Sequence, residues 1–350
     1  AGNIAHRIAL VIKNFWQKLN KPFFVLAPMA DVTDASFRRV IAKYGKPDVM
    51  WTEFVSADGL VRAKDEGKKK LLKDLEYGDI ERPIVAQLFS SKPEYMFQAA
   101  KIIKELGFDG LDINMGCPDK GVEKQGAGAA LIKNPKLARK VIRSAKEGFG
   151  GPVSVKTRIG YNKDELDTWL PEILKEGISA VTVHARTRKE MSKVPAKWDT
   201  VERAVKIRNE ISPGTLIIGN GDVVDINDAR RKCLEVGCDG AMLGRAIFGN
   251  PFLFANLTQI KSGNQIEHPD ESLTKKDASV EEKLLVLMEH TELFDKILSG
   301  VKNFSVMKKH FKAYVQGFNG AVELRQKLME TENHKDVDKV VVDFLKNKAL

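Results

Sequence analysis

The sequence predicts an α/β protein, a TIM (β/α)8 barrel followed by a smaller all-α helical domain. Three observations carry this. From Pro22 onward short apolar runs alternate with amphipathic stretches at helical spacing, the apolar runs number eight, and after Asn250-Pro251 the alternation stops and only helical periodicity remains. A chain of 350 residues, 43% of them hydrophobic, has room for a barrel of roughly 250 residues and a second unit.

The elements follow in order. Ile4, Ile8, Val11, Phe15 and Leu19 recur at helical spacing with Arg7, Lys13 and Lys18 off the stripe, which predicts an N-terminal helix over 1–21 packed against the barrel. The apolar run Ile8–Ile12 is too short for a signal sequence, and no run approaches the ~20 residues of a membrane span. The barrel is expected over 22–260. Its strands read as Phe23–Ala27, Val49–Phe54, Ile84–Phe89, Gly110–Met115, Val153–Thr157, Ala180–His184, Leu216–Gly219 and Gly240–Leu243. Between them lie the helical stretches Ser36–Tyr44, Tyr95–Leu106, Lys136–Glu147, Glu165–Glu176, Val201–Glu210 and Ile226–Val236, several preceded by Asp, Asn or Pro suited to a helix start. The polar run that follows, with Gly263 and Pro269, reads as a linker over 261–279. From 280 to 350 strand signals are missing, and Leu284, Leu287, Met288, Leu293, Phe294, Ile297 and Leu298 keep a helical period.

Composition narrows the class of partner. The formal charge of +10 and a pI near 9.3 favour a polyanion, with nucleic acid the natural candidate. Within the C-terminal unit the cations gather locally: Lys302, Lys308, Lys309, Lys312, Arg325 and Lys327 face the single acid Glu323 across Val301–Lys327. Phe304, His310, Phe311, Tyr314 and Phe318 are interleaved with these cations, a mixture that suits RNA and also suits a helical core. The three cysteines, Cys117, Cys233 and Cys238, are too few and too odd in number for a disulfide framework, so a reducing cytoplasm is expected. Cys233 and Cys238 lack the companions of a zinc site, and no metal is expected.

In a TIM barrel the chemistry sits at the C-terminal ends of the strands. Here those ends are polar: Pro28-Met29, Glu53, Gln87, Asn114 with Cys117, Lys156 with Arg158, His184 with Arg186, Asn220-Gly221-Asp222 and Gly244-Arg245. Polar groups cost free energy in a packed interior, so their gathering on one face points to a shared site. The fourth strand is the most pointed case. In LDINMGCP, Leu111 and Ile113 alternate with Asp112 and Asn114, then Gly116 and Pro118 stop the strand and hold Cys117 at its mouth. A thiol placed there can act as nucleophile, as proton donor or as core filler. The seventh and eighth strands end in GNGD (Gly219–Asp222) and GR (Gly244-Arg245). That pair of loops is where TIM barrels bind phosphate, and Arg245 would match its charge, so a phosphorylated cofactor is expected.

With these residues in view the chain resembles the tRNA-dihydrouridine synthase family, FMN-dependent reductases of uridine in RNA. The resemblance runs from Leu26 onward. It rests on APMADVTDASFR (Ala27–Arg38), TEFVSADGL (Thr52–Leu60), VAQLF (Val85–Phe89), DINMGCP (Asp112–Pro118), VKTRIG (Val155–Gly160), VHARTR (Val183–Arg188), GNGD and MLGRAIFGNP (Met242–Pro251), and on KKHFKAYVQGFNGAVELRQKL (Lys308–Leu328) for the helical domain. The resemblance implies that Pro28, Met29, Ala30 and Gln87 line FMN, with Lys156 and His184 over its polar edge. Asn220, Gly221, Asp222, Gly244 and Arg245 would hold the ribityl chain and phosphate, and Cys117 would donate a proton. Asn114 and Arg186 are expected to touch the base, and Lys308, Lys309 and Lys312 the RNA backbone. One departure follows the sixth strand, where Met191-Ser192-Lys193 stand in place of the family's usual tyrosine and glycine.

The implied reaction is reduction of the C5–C6 bond of an extruded uracil in tRNA, with NADPH as reductant, hydride to C6 and the Cys117 proton to C5. A thiol with an unperturbed pKa near 8.5 stays protonated at neutral pH and still donates better than a hydroxyl. Alternatives are a barrel acting on a free pyrimidine in the manner of dihydroorotate dehydrogenase, ribosomal RNA as substrate, and an RNA-binding scaffold with a decayed barrel. Nothing in the sequence asks for a stable protein partner, and a monomer is expected.

Overall fold

The period-two runs become eight strands at the expected positions, to within two residues at each end. They are β1 (Phe23–Leu26), β2 (Met50–Ser56), β3 (Ile84–Phe89), β4 (Gly110–Met115), β5 (Val153–Arg158), β6 (Ala180–His184), β7 (Leu216–Asn220) and β8 (Gly240–Leu243). The computed structural model describes residues 14–255, 257 and 278–348. All pairings are parallel, in the order β1-β8-β7-β6-β5-β4-β3-β2, and the bridge Val25 to Val49 joins the two ends, so the sheet closes into a barrel.

Alternation along the strands sorts the side chains. Leu111, Ile113 and Met115 of β4 join the buried layer beneath the helices, while Asp112 and Asn114, of opposite parity, face Ser154 and Lys156 of β5 in register. The lower interior is apolar, filled by Phe23, Val25, Trp51, Val85, Ile218 and Met242.

The wrapping helices are α1 (Ala35–Tyr44), α2 (Ala57–Arg62), α3 (Asp65–Asp74), α4 (Pro93–Glu105), α5 (Lys120–Lys124), α6 (Pro135–Phe149), α7 (Leu166–Leu174), α8 (Asp199–Ile211) and α9 (Ile226–Val236). Their starts are locally encoded. Asp34 caps α1 by accepting the Phe37 N–H, Asn134 caps α6 with Pro135 at its first turn, and Asp225 caps α9.

Two expectations, at the N-terminus and at the linker, fall largely outside the described residues. Of the helix expected over 1–21, positions 1–13 lie outside the described residues, and Phe15–Lys18 is a single 3₁₀ turn capped by Asn14. Trp16 from that turn, which lies off the expected stripe, is buried against Trp51 and Phe23, with ring centroids 5.8 and 5.9 Å away, and Phe15 and Leu19 of the stripe pack against the same cluster. The linker expected over 261–279 lies outside the described residues except for its last two, of which Ser279 caps the next helix in a capping box with Glu282.

The C-terminal helices are α10 (Val280–Leu298), α11 (Met307–Tyr314), α12 (Ala321–Met329) and α13 (His334–Lys348). Their buried side chains, including Leu284, Phe294 and Phe311, belong to one continuous apolar cluster with those of the barrel wall. Helix α10 lies along α1: Phe37 stacks on His290 at 4.9 Å and meets His310 edge-on, while Glu289 binds Lys43 at 2.8 Å and the Tyr44 hydroxyl at 2.6 Å. Gly249, at φ +69°, lets the α11 backbone approach so closely that a Cβ there would overlap the Ala313 carbonyl. The aromatics interleaved with the C-terminal cations are largely core. His310 and Phe311 are fully buried and Tyr314 nearly so, which leaves them no face for a base.

Candidate active site

The fourth strand delivers Cys117 as its sequence suggests. Gly116 and Pro118 end the strand, and the Asn114 carboxamide oxygen accepts the N–H groups of Gly116 at 3.1 Å and Cys117 at 2.9 Å, so one side chain folds the turn back on itself. The Cys117 thiol is half-buried beside Phe54, Phe89, Val122 and Ala127. Burial pushes its pKa up, Asp119 acts in both directions, and the cations Lys156 and Arg158 pull it down by less. The group is therefore a neutral thiol at physiological pH, with two cations near enough to stabilise the thiolate left after proton loss.

Behind Asn114 runs a buried polar chain. Its amide donates to Gln87 Oε1 at 3.1 Å, Gln87 Nε2 donates to Asp112 at 2.6 Å, and Ser154 Oγ donates to the other Asp112 oxygen at 2.5 Å. Burial raises Asp112 to about 6, against the pull of Ser154, Gln87 and Lys156. Gln87, expected to line the cofactor, has no exposed surface, and both ends of its amide are engaged within this chain. Asp112 is given no site role by the sequence although it shares the inward parity of Asn114.

Lys156 donates to Asn220 Oδ1 at 3.2 Å, and the Asn220 amide donates to the Met242 carbonyl at 2.8 Å, tying β5, β7 and β8 together at the mouth. Burial, reinforced by Arg158, lowers Lys156 to about 8. His184 is held well below its ordinary range by burial and then by the neighbouring cations, so it is a neutral imidazole. Arg158 anchors the floor of this region by donating to the carbonyls of Gly116, Thr187 and Met191.

Arg186 requires a correction. It was expected to touch the base, but it is buried, and its guanidinium is spent on the Val194 carbonyl at 2.6 Å, on His184 Nε2 at 3.2 Å and on Asp222. It supports the loop that ends β7. Asp222 also binds Arg245 at 2.7 Å, and its carboxyl lies below the usual range chiefly because of Arg186.

The ends of β7 and β8 form a cradle. Gly221 sits at φ +121° with Ala196 and His184 where a Cβ would point, and the Trp198 indole donates to its carbonyl at 2.8 Å. Among the described residues none accepts from the backbone N–H groups of Gly221, Asp222, Gly244 and Arg245. Donors left free beside an exposed guanidinium fit a phosphate, the chemistry the sequence assigned to these loops. Across the mouth, half-buried Pro28 and Met29 and exposed Ala30 border the opening, and Gly244 stands next to Ala27 and the Met29 sulfur.

The C-terminal cations divide. Lys309 and Lys312 are exposed and Lys308 half-buried on α11, whereas Lys302 is largely buried and bound to Glu53 at 2.6 Å and Asp74 at 3.1 Å, so it is not available to a phosphate.

The comparisons bear on this geometry. A family model described as Dihydrouridine synthase (Dus) matches residues 25–349. The chain is similar to the probable tRNA-dihydrouridine synthase 2 of Bacillus subtilis (strain 168), 40% identical over 334 residues that cover 95% of this chain and 97% of that one. It is likewise similar to the probable tRNA-dihydrouridine synthase of Staphylococcus aureus (strain COL), 39% identical over 95% of this chain and 96% of that one.

Proposed function

The chain belongs to the dihydrouridine synthase family, and from that premise we propose that it reduces the C5–C6 double bond of uridines in tRNA, with FMN as its cofactor, NADPH as reductant and Cys117 as the proton donor to C5. Bound at the barrel mouth, reduced FMN would supply the hydride to C6. Its phosphate is assigned to the free N–H groups of Gly221, Asp222, Gly244 and Arg245 and to the Arg245 guanidinium, with Asn220 beside them. Pro28, Met29, Ala30, Lys156 and His184 would line it, and Gln87 reaches this surface only through Asn114.

The observation that carries the reading is the Cys117 turn. Asn114 fixes the backbone on both sides of the thiol, and burial keeps the sulfur protonated, as an acid needs before it donates. When the Cys117 S–H transfers its proton to C5, Lys156 and Arg158 stabilise the resulting thiolate. A base can enter such a mouth only when flipped out of its stack. The exposed Lys309 and Lys312, with Lys308, supply contacts for the surrounding RNA backbone.

The test is to map dihydrouridine in RNA from cells lacking the gene and cells regaining it as wild type or as Cys117→Ala. Restoration in tRNA by the wild type alone is expected. Restoration by the alanine variant overturns the proton-donor role, and restoration in ribosomal RNA replaces tRNA as the substrate.

A further inference from the structure

We propose that Glu53 and Lys302 form a positioning pair by which the C-terminal helices fix the cofactor-lining loop after β1. The loop Pro28-Met29-Ala30-Asp31 leaves the barrel and turns at Asp31, whose φ of +52° lies in the left-handed region, uncommon for a non-glycine residue although aspartate is among those that adopt it. Backbone bonds close the turn, the Met29 carbonyl accepting the Val32 N–H at 3.1 Å and the Thr33 N–H at 3.0 Å, and two side chains add to them. Thr33 Oγ1 accepts the Met29 N–H at 2.9 Å on one side, and Glu53 Oε1 accepts the Asp31 N–H on the other. The second Glu53 oxygen accepts from Lys302 Nζ at 2.6 Å, across 249 positions of sequence.

The pair has little freedom. Glu53 is 5% exposed and comes from β2, at a point where the register with β3 shifts between Trp51 and Phe54. Lys302 follows the end of α10 and reaches into the barrel rim, where Asp74 also binds it at 3.1 Å and Asp31 lies at 4.0 Å. A buried carboxylate is stable as an anion only with a charged or strongly donating partner. Burial already raises Glu53 to about 7 with Lys302 in place, and Asp34 and Asp74 push in the same direction. Without the lysine, Glu53 takes up a proton, the Asp31 N–H loses its anionic acceptor, and the left-handed turn that sets Met29 and Ala30 is released. No part of Lys302 needs to touch the cofactor for this to follow.

This inference rests on the reading that Met29 and Ala30 line FMN, so the experiment separates the two. FMN binding to the purified full chain is followed by quenching of flavin fluorescence in the parent, Lys302→Met, Lys302→Arg, Glu53→Gln with Lys302→Met, and Arg245→Ala, with thermal melts as a check of folding. Lys302→Met is expected to weaken FMN about tenfold, the scale of one charge-assisted hydrogen bond, and Lys302→Arg to recover most of it. The double variant removes the Glu53 charge together with its cation and leaves only the partly exposed Asp74 without its partner, so it should fold even if Lys302→Met does not, and it should bind FMN more weakly than the parent because Asp31 has lost an anionic acceptor. If Arg245→Ala weakens FMN while folded Lys302 variants bind it like the parent, the positioning role is overturned and the flavin site stands. Parent-like binding in every variant, Arg245→Ala included, overturns the flavin site and the positioning pair with it.

Discussion

The Asn114 carboxamide oxygen accepts the Cys117 N–H at 2.9 Å while its amide donates to Gln87 at 3.1 Å, so one side chain both closes the cysteine turn and ties it to the barrel interior. That double use makes Asn114 a positioning residue for the thiol, whatever further contact it makes with the base. Replacing it with alanine should leave the thiol present but misplaced, and misplacement by about 1 Å can cost on the order of 100-fold in rate. Asn114→Ala should therefore retain its flavin and slow uridine reduction about 10- to 100-fold in single turnovers of reduced enzyme. A wild-type rate in that variant would remove the turn from the mechanism.

Arg245 is 67% exposed and paired with Asp222, so its attraction for a phosphate is partly screened by solvent and shared with a carboxylate. Arg245→Ala should raise the FMN dissociation constant about tenfold, toward the low end for a charge-assisted contact. Stopped-flow release of the flavin checks this, and an unchanged rate moves the phosphate elsewhere.

Lys309 and Lys312 stand exposed on α11, whereas Lys302 is committed to Glu53. Each lost phosphate contact should reduce the slope of log K against log salt by about 0.7 to 0.9, so Lys309→Ala with Lys312→Ala should flatten it by up to about 1.8. NADPH oxidation in the absence of RNA should stay normal. Filter binding of unmodified tRNA across a salt series decides, and parallel lines for variant and parent would mean that α11 presents a solvated face.

His310 is fully buried between Phe37, Phe248 and His290, with neither ring nitrogen hydrogen-bonded. Burial lowers it to about 4; nearby Asp34 opposes the shift and Lys309 adds to it. His290, beside it and Tyr314, is also held well below its ordinary range. A neutral histidine in the fold that accepts a proton near pH 6.5 when unfolded leaves stability intact above about 6.5 and erodes it as pH falls toward 4, by about 3 kcal/mol in all for His310. Urea unfolding at pH 7.5 and pH 5 should show the loss in the parent and a smaller loss in His310→Leu. Equal losses in both proteins would place the acid sensitivity outside the seat of the C-terminal helices.

The sequence by itself determined the order of elements, the strand ends and the turn that carries Cys117. Each of those depends on neighbours a few positions apart: the alternation of Leu111 and Ile113 with Asp112 and Asn114, the stop at Gly116 and Pro118, and the caps at Asp34, Asn134 and Asp225. Tertiary structure alone decided which polar side chains at the barrel mouth remain free. Arg186 and Gln87 look like ligands in the sequence, but closure of the barrel brings Asp222 and Val194 to one and Asp112 and Asn114 to the other, and both side chains are buried in bonds to the protein. The same holds for the C-terminal unit, where Lys302 and Lys309 are seven positions apart in one basic run and yet one is buried against Glu53 while the other is exposed, with Asp31 at 3.8 Å. Charge and polarity are written in the chain, but whether a group is satisfied depends on what folding places opposite it, and at these positions the partner lies on another strand, in another loop or 249 residues away.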